Sequence, residues 1–407
     1  MGKNIWIINH YAVKDKGRHP SLAGLFVKNG QATTVFLSSF DHHKRVYLYD
    51  EKIKVVDGND GVRYIYVKSS PAYNNNGIRR ILNMLSFCWI IWRNIKQIVV
   101  KSGIPTHIIA SSVHPFVWEL AYHVAKKYKA KFVAEVRDIW PLSLVEVAHV
   151  RKNHPLVKLL TFVERRAYQR SDKIVSTMPF AYKHICNRYG IDKDKVKWLP
   201  NGIDTEKYYQ NEHSGSQLPS ELNHFLTSHW CCVYTGSFVE SECIPMMLQA
   251  FSKIKDKDIY FAIIGGGHDE LKLKQLKEDL KLDKVEFFPF VEQSKIPQIM
   301  SKAKCCIGAI HDLPIYEFGL SMNKLNDYLI SGKPVVFACS YNNVVKDAGH
   351  FGIQGEDSQL LADTIIKVRN LSSEDVEQLS QKSKKIIEET YDYKVVAQNY
   401  LSLLNSL

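Results

Sequence analysis

Between Glu317 and Val336 the chain reads EFGLSMNKLNDYLISGKPVV, and this run offers the side chains needed to hold a phosphate and a sugar together. Gly319, Leu320 and Ser321 form a turn that leads into a helix over 322–331 carrying Asn323, Lys324 and Asp327. Ser331-Gly332 followed by Pro334 stops that helix and opens an apolar strand. The free N–H groups of a helix start attract an anion, and a lysine one position in adds a fixed positive charge. Asp327 lies one turn after Asn323, on the same face, as an acceptor for sugar hydroxyls. Phosphate, amide and hydroxyl recognition together suit a nucleotide sugar. The same segment also fits an ordinary surface αβ unit whose lysine is solvated.

Other candidates lie at strand ends. Gly236-Ser237 closes the apolar run WCCVYTG, and Gly265-Gly266-Gly267 closes IYFAIIGGG, where backbone without Cβ lets a phosphate or sugar approach. Neither GxGxxG nor GxxxxGK[ST] is present, so the NAD and ATP fingerprints are absent. Glu135, Arg137 and Asp138 interrupt the end of an apolar strand just before Trp140-Pro141, and such charges need a task or a partner. An internal Arg–carboxylate pair is the alternative there. His114 follows the strand ending Ser111-Ser112, as either a cleft residue or a structural histidine.

The elements that must position these residues alternate along the chain. Strands are expected at 5–8, 33–39, 106–112, 131–136 and 173–177, with helices at 79–100, 116–128, 155–170 and 179–189. The second half repeats the pattern, with strands at 230–236, 259–267, 284–290, 305–310 and 333–339. Helices at 244–254, 269–280, 294–302, 322–331 and 357–369 separate them, and a last helix covers 373–405. Strand–helix alternation predicts an α/β chain with parallel sheets covered on both faces. Ligands of such sheets bind at the carboxyl ends of the strands, where the turns named above fall. The length of 407 residues calls for two domains, with a linker in the polar stretch Glu212 to Asn223.

The segment 317–336 resembles the donor-binding stretch of retaining glycosyltransferases of the GT-B fold, family 4, most closely the WbuB-like enzymes of bacterial O-antigen and capsule synthesis. INHYAV, Arg18-His19, NGQATTVFLSSFDHH, EVRDIWP, WLPNGID, VYTGSF, IIGGG and FFPFV follow in the family's order, so the resemblance spans nearly the whole chain. It implies two Rossmann-like domains facing a central cleft. The first, 1–205, would bind the acceptor, with a C-terminal helix 385–407 packing back on it. The second, 225–384, would bind a nucleotide sugar, expected to be UDP-linked. By resemblance, Phe290 and Val291 cradle the base, Arg18 and His19 of the first βα loop contact the acceptor or the donor phosphate, with His114 as a further acceptor candidate, and Asp138 matches the acid of a catalytic His-Asp pair near the reacting sugar whose histidine is replaced by Arg137. The family's Glu-x7-Glu is altered, since Asp327 takes the second position and Gly319 the first. The slots for an Arg and a Lys that hold the diphosphate fall near Ser237 and Cys243, which leaves Lys324 and helix N–H groups to carry that charge. The expected reaction is a retaining transfer that needs neither metal nor cofactor. A GT-B nucleotide-sugar epimerase and a catalytically silent nucleotide-binding subunit are the alternatives.

Charge is split along the chain. Residues 1–200 hold 33 Lys and Arg against 14 Asp and Glu, a net of +19, whereas the remainder holds 21 against 28, a net of −7. One half alone therefore seeks an anionic partner. No DNA- or RNA-binding signature accompanies it. A segment from Ile81 to Val100, flanked by Arg79 and Arg80, carries Trp89 and Trp92 and reads either as a core helix or as an interfacial membrane helix. The expected setting is the cytoplasmic face of a bacterial membrane, with a polyprenyl-diphosphate-linked saccharide as acceptor. Nothing reaches 18 apolar residues, no signal-peptide pattern opens the chain, and the eight cysteines form no CxxC pair. Cys231-Cys232 and Cys305-Cys306 read as buried small hydrophobes, with no zinc site among them.

Overall fold

A computed structural model describes residues 2–42, 44–74, 77–214, 217–255, 258–341 and 343–407. His43 of the FDHH run and residues 215 and 216 of the expected linker lie outside them. The chain divides into two compact units, Met1–Pro200 with Tyr393–Leu407, and Asn201–Asp392. The division therefore falls at Pro200 and not in the polar stretch 212–223, which instead contains the end of the helix Thr205–Glu212 and the start of the helix Ser220–Ser228.

In the first unit the strands are β1 (Asn4–Ile8), β2 (Ala32–Ser38), a two-stranded ribbon of β3 (Phe40–Asp41) and β4 (Val46–Tyr47), β5 (Ile53–Asp57), β6 (Arg63–Val67), β7 (His107–Ser111), β8 (Lys131–Val136), β9 (Lys173–Ser176) and β10 (Val196–Trp198). Eight of them form one sheet in the order β10-β9-β8-β7-β1-β2-β6-β5. Its neighbours are parallel except for β5, which runs antiparallel to β6 at the edge. The central strands are buried on both faces, as continuous apolar runs such as Ile5 to Ile8 require. The helix Tyr393–Asn405 closes this core. Its Val396, Tyr400 and Leu404 pack with Ile5, Ile7, Leu22 and Phe26.

The second unit holds β11 (Trp230–Ser237), β12 (Ile259–Gly266), β13 (Val285–Phe288), β14 (Cys305–Ala309), β15 (Val335–Ala338) and β16 (Phe351–Ile353), all parallel, in the order β13-β12-β11-β14-β15-β16. Alternate residues feed two cores on opposite faces. Cys231 and Val233 enter one, Cys232 and Tyr234 the other, and Cys305 and Cys306 divide in the same way. All eight cysteines are unpaired. Strand order reverses between β11 and β14, and ligands of open parallel sheets bind at such a reversal.

The segment expected as one helix over 79–100 is two, Ile78–Arg93 and Ile95–Ser102, broken at Asn94. Among the described residues no helix is long and apolar enough to cross a membrane.

Candidate active site

A cavity of about 400 Å³ opens in the second unit at the carboxyl ends of β11 and β12, beside the helix Asn323–Ile330. Parallel pairing sets Gly236 opposite Gly265. A Cβ on Gly265 would lie 1.8 Å from the Gly236 carbonyl oxygen, and one on Gly236 would come within 2.9 Å of Lys324 Nζ. Glycine at both positions lets the strand ends close around the lysine. Gly236, Ser237, Phe290, Val291, Asn323, Lys324 and Asp327 all line the cavity. The fold brings them from three separate segments into one wall.

Four expected donor residues lie elsewhere. Leu320 is buried in the core. Ser321 contributes its carbonyl oxygen, which accepts a hydrogen bond from Asn201 Nδ2 at 3.1 Å. Gly266 and Gly267 serve close packing: a Cβ would meet the Phe290 ring at 3.1 Å in the first case and the Phe238 carbonyl at 2.3 Å in the second. Sequence reasoning also missed Thr235, Glu242, Ile264, Gln293, Ile296 and Met322, which with Gly265 complete the lining. Asn201, within the WLPNGID run, fixes the helix start from both sides, because its own carbonyl accepts from Asn326 Nδ2 at 3.0 Å. An Asn flanked by Pro and Gly in that run was the available signal.

Lys324 is the electrostatic centre of the cavity. Its ammonium forms an ion pair with Glu242, donates to Tyr234 Oη at 3.3 Å and sits 4.6 Å over the Tyr234 ring. Burial pulls its pKa below the ordinary lysine value, and Glu242 works against that pull. The helix start carries neither a side-chain cap nor an acidic residue in its first turn. Met322, Asn323 and Lys324 at this start line the cavity, and an uncapped helix start offers N–H donors to an anion. Asp327 is half-buried in the same wall, and among the described residues its carboxylate makes no hydrogen bond or ion pair. Burial alone raises its pKa to about 7.

The first unit corrects three assignments. Arg18 and His19 open the helix Arg18–Lys28 instead of lying in a loop, and both side chains are buried. Arg18 Nε donates to Glu135 Oε2 at 3.2 Å and Nη2 to the Leu199 carbonyl at 3.0 Å, while Nη1 donates to the Pro200 carbonyl. His19 Nε2 meets Glu135 Oε1 at 2.7 Å and Nδ1 meets Asn9 Nδ2 at 2.7 Å. Tyr400 Oη donates to Glu135 Oε2 at 2.5 Å. All three nitrogens of the Arg18 guanidinium and both ring nitrogens of His19 thus have internal partners. These residues brace β8 and the C-terminal helix through Glu135. The internal Arg–carboxylate pair exists, but it joins Glu135 to Arg18 and not to Arg137.

His114 is the third correction. It is buried, its Nε2 lies 2.9 Å from His10 Nδ1, and burial, with Arg80 adding to it, lowers its pKa to about 3. It is a neutral core histidine. Asp138, by contrast, is exposed and Arg137 half-buried on the loop after β8. Ser112 Oγ accepts from the Arg137 N–H at 2.8 Å, and Trp140 Nε1 donates to the Ser112 carbonyl at 2.8 Å. This tie to the end of β7 presents Asp138, whose carboxylate makes no hydrogen bond or ion pair among the described residues.

Comparisons with known proteins agree with this architecture. A family model described as Glycosyltransferase Family 4 matches residues 21–207, and one described as Glycosyl transferases group 1 matches residues 231–370. The chain is 20% identical over 226 residues to "Putative colanic acid biosynthesis glycosyl transferase WcaI" of Escherichia coli K12, a match spanning 54% of each chain. It thus covers about half the length of that curated relative. Among solved structures, sucrose-phosphate synthase from Thermosynechococcus elongatus superposes with a TM-score of 0.74 at 13% identity, covering 99% of this chain and 98% of that one. HepE of Anabaena in complex with UDP-glucose gives 0.69 at 14% identity, covering 99% of each. WaaG, a glycosyltransferase involved in lipopolysaccharide biosynthesis, gives 0.65 at 12% identity, covering 99% of this chain and 100% of that one. At these identities the likeness shows the fold alone. The two family matches and the doubled parallel-sheet fold together identify the chain as carrying a glycosyltransferase family 4 region followed by a glycosyl transferases group 1 region, on the α/β GT-B fold.

Proposed function

We propose that the chain is a glycosyltransferase that moves a sugar from a nucleotide sugar, UDP-linked, to a lipid-linked oligosaccharide in the synthesis of a bacterial surface polysaccharide. The observation that carries this reading is the wall of the donor cavity, where Lys324, the uncapped helix start and Asp327 face one space of about 400 Å³. In the reaction the bond between sugar C1 and the diphosphate oxygen breaks, an acceptor hydroxyl oxygen bonds to C1, and the hydroxyl proton passes to the departing diphosphate oxygen. Negative charge builds on the departing diphosphate, where Lys324 and the helix N–H groups offset it without a cation. Phe290 and Val291 hold the base and Asp327 accepts from hydroxyls of the nucleotide sugar. We assign Arg137 and Asp138 of the first unit a catalytic role, and the transfer to the retaining class. Solved relatives described as complexes with UDP or UDP-glucose support the choice of donor.

The lipid-linked acceptor rests on a surface of the first unit. Ile78, Leu82, Leu85, Trp89 and Trp92 recur at alternating spacings of four and three on the helix Ile78–Arg93, and all five are exposed. Arg79, Arg93 and Lys96 are exposed among or beside them. Lys52 and Lys127 lie 5.8 Å over the Trp89 ring and 5.4 Å over the Trp92 ring. Tryptophan and basic residues on one apolar stripe suit an anionic membrane interface, where the chain would sit peripherally on the cytoplasmic face.

A second reading has one observation in its favour. Glu242 occupies Lys324, the charge that a diphosphate needs. A binding subunit without turnover would tolerate that. Titration with UDP and UDP-sugars, followed by an assay for free UDP with and without a polyprenyl-diphosphate saccharide, tests the proposal. Acceptor-dependent release of UDP is expected. UDP binding without release would favour the silent subunit, consumption of the sugar without acceptor would favour an epimerase, and no binding of any nucleotide would overturn the proposal.

A further inference from the structure

Three side chains of different ligating type converge in the second unit outside the lining of the donor cavity. Cys243 follows the short turn Glu240–Glu242, His311 follows β14, and Glu356 precedes the helix Ser358–Arg369. Cys243 Sγ lies 3.2 Å from His311 Nδ1 and 3.8 Å from Glu356 Oε2, and His311 Nδ1 lies 3.1 Å from each oxygen of Glu356. We propose that Cys243, His311 and Glu356 form a zinc site that ties three loops together at the carboxyl ends of β11, β14 and β16.

Geometry separates this from a nucleophile relay. A Cys–His–acid relay uses the two opposite ring nitrogens, one toward the thiol and one toward the acid. Here thiol and carboxylate meet the same nitrogen. A single Nδ1 has one hydrogen or one lone pair to offer and cannot serve both partners well. A cation among the three atoms would satisfy all of them at once. Zinc bonds of about 2.3 Å to sulfur and about 2.0–2.2 Å to nitrogen or oxygen place tetrahedral ligand atoms about 3.3–3.6 Å apart. The observed spacings of 3.1, 3.2 and 3.8 Å bracket that range.

The donor set selects the metal class. A thiolate with an imidazole favours zinc over magnesium or calcium. The backbone N–H of Asp312 donates to Glu356 Oε1 at 2.9 Å and so orients the carboxylate, as outer-shell partners of metal ligands do. Cys243 is buried, but the His311 and Glu356 side chains are 38% and 37% exposed, which leaves room for a water as fourth ligand. The ligands are 68 and 45 residues apart in sequence, so the absence of a CxxC pair did not exclude them. The site also touches the proposed function. Glu242, which holds Lys324, directly precedes Cys243. An ion on Cys243 would fix the segment from which Glu242 reaches into the donor cavity.

The test uses the full chain without nucleotide, so its outcome does not depend on the transferase reading. Chelator-treated protein is titrated with Zn²⁺ and, separately, with Co²⁺. Binding of one zinc per chain, a rise in melting temperature with zinc, and a sulfur-to-cobalt charge-transfer band are expected. Cys243→Ser should abolish that band. His311→Asn and Glu356→Gln should each weaken zinc affinity by more than the roughly 10–100-fold typical of losing an outer-shell partner. Far-UV circular dichroism checks that each variant is folded, and a variant that fails it is replaced by the wild-type cobalt spectrum as the deciding measurement. No charge-transfer band and no thermal shift in the wild type would overturn the site, as would wild-type zinc affinity in folded Cys243→Ser.

Discussion

Lys324 stands between two anions, one present and one proposed. Glu242 holds its ammonium now, and a diphosphate would have to compete for it. If Lys324 offsets the charge of the leaving group, Lys324→Ala should lower turnover at least ~100-fold, since loss of one such donor costs about 3 kcal/mol. Turnover within a few-fold of wild type would remove it from the mechanism. Glu242→Gln tests the competition directly. It keeps the shape but removes a negative charge beside the phosphate position, so UDP should bind roughly 10-fold tighter, about 1.4 kcal/mol. Weaker binding in calorimetry would mean that Glu242 instead positions the lysine. Asp327 gives a pH signature. Its folded-state pKa is raised to about 7 by burial, above the ordinary aspartate range. Its ionisation is therefore disfavoured in the fold, and its own contribution to stability falls as pH rises from the unfolded value through about 7. Hydroxyl recognition needs the carboxylate, so UDP affinity should rise between about pH 6 and about pH 8, and Asp327→Asn should flatten that rise. An equal slope in wild type and variant would take Asp327 out of the contact. These residues were legible because Asn323, Lys324 and Asp327 share one short segment. Glu242 was not, because it lies 82 residues from the lysine it holds.

Among the elements, the apolar strands and the helices between them were legible because a parallel sheet buried on both faces demands continuous apolar runs. The helix Pro155–Arg170 lies where its periodicity places it. β5 and β6 were missed: their runs IKVVD and RYIYV mix charge with β-branched and aromatic residues at a sheet edge, and β5 runs antiparallel. The helix Arg18–Lys28 was also missed. Its RHP start resembles a basic loop until the partner of Arg18 is known, and that partner lies 117 residues away. The helix Ile78–Arg93 has one buried and one exposed face. Met84, Phe87 and Ile91 face the core, while Trp89 and Trp92 face outward. If the exposed face meets acidic lipid, as proposed, the attraction of its basic flank would be screened beyond about 8 Å at physiological salt. Binding to liposomes should therefore require anionic lipid and weaken as salt rises. Trp89→Glu with Trp92→Glu should abolish it and leave UDP affinity unchanged. Flotation that is indifferent to lipid charge, or to these substitutions, would mean that the stripe has another partner.

At the scale of the whole molecule, the chain returns to its beginning. After Asp392 the helix Tyr393–Asn405 joins the first unit, and its Tyr400 reaches Glu135 beside Arg18 and His19. Burial works to raise the Glu135 carboxyl, but Arg18 and then His19 outweigh it and hold the group well below the ordinary carboxylate range. Glu135 is thus the negative centre of a buried cluster that joins β8, the first helix and the last. Removing one partner from such a pair strands the other, at a cost of about 3–5 kcal/mol. Glu135→Ala should therefore destabilise the first unit by that amount, whereas Tyr400→Phe, which deletes one hydrogen bond to a charged acceptor, should cost about 1.5–3 kcal/mol. The carboxylate stabilises the fold above its unfolded-state pKa, and that contribution is lost as pH falls through the depressed folded value. Chemical denaturation followed at the tryptophans should show the wild type losing stability in the acid range relative to neutral pH, with less loss in Glu135→Ala. A Glu135→Ala protein as stable as wild type would mean that the cluster contributes nothing net, and that apolar packing of Val396, Leu403 and Leu404 alone holds the C-terminal helix in place.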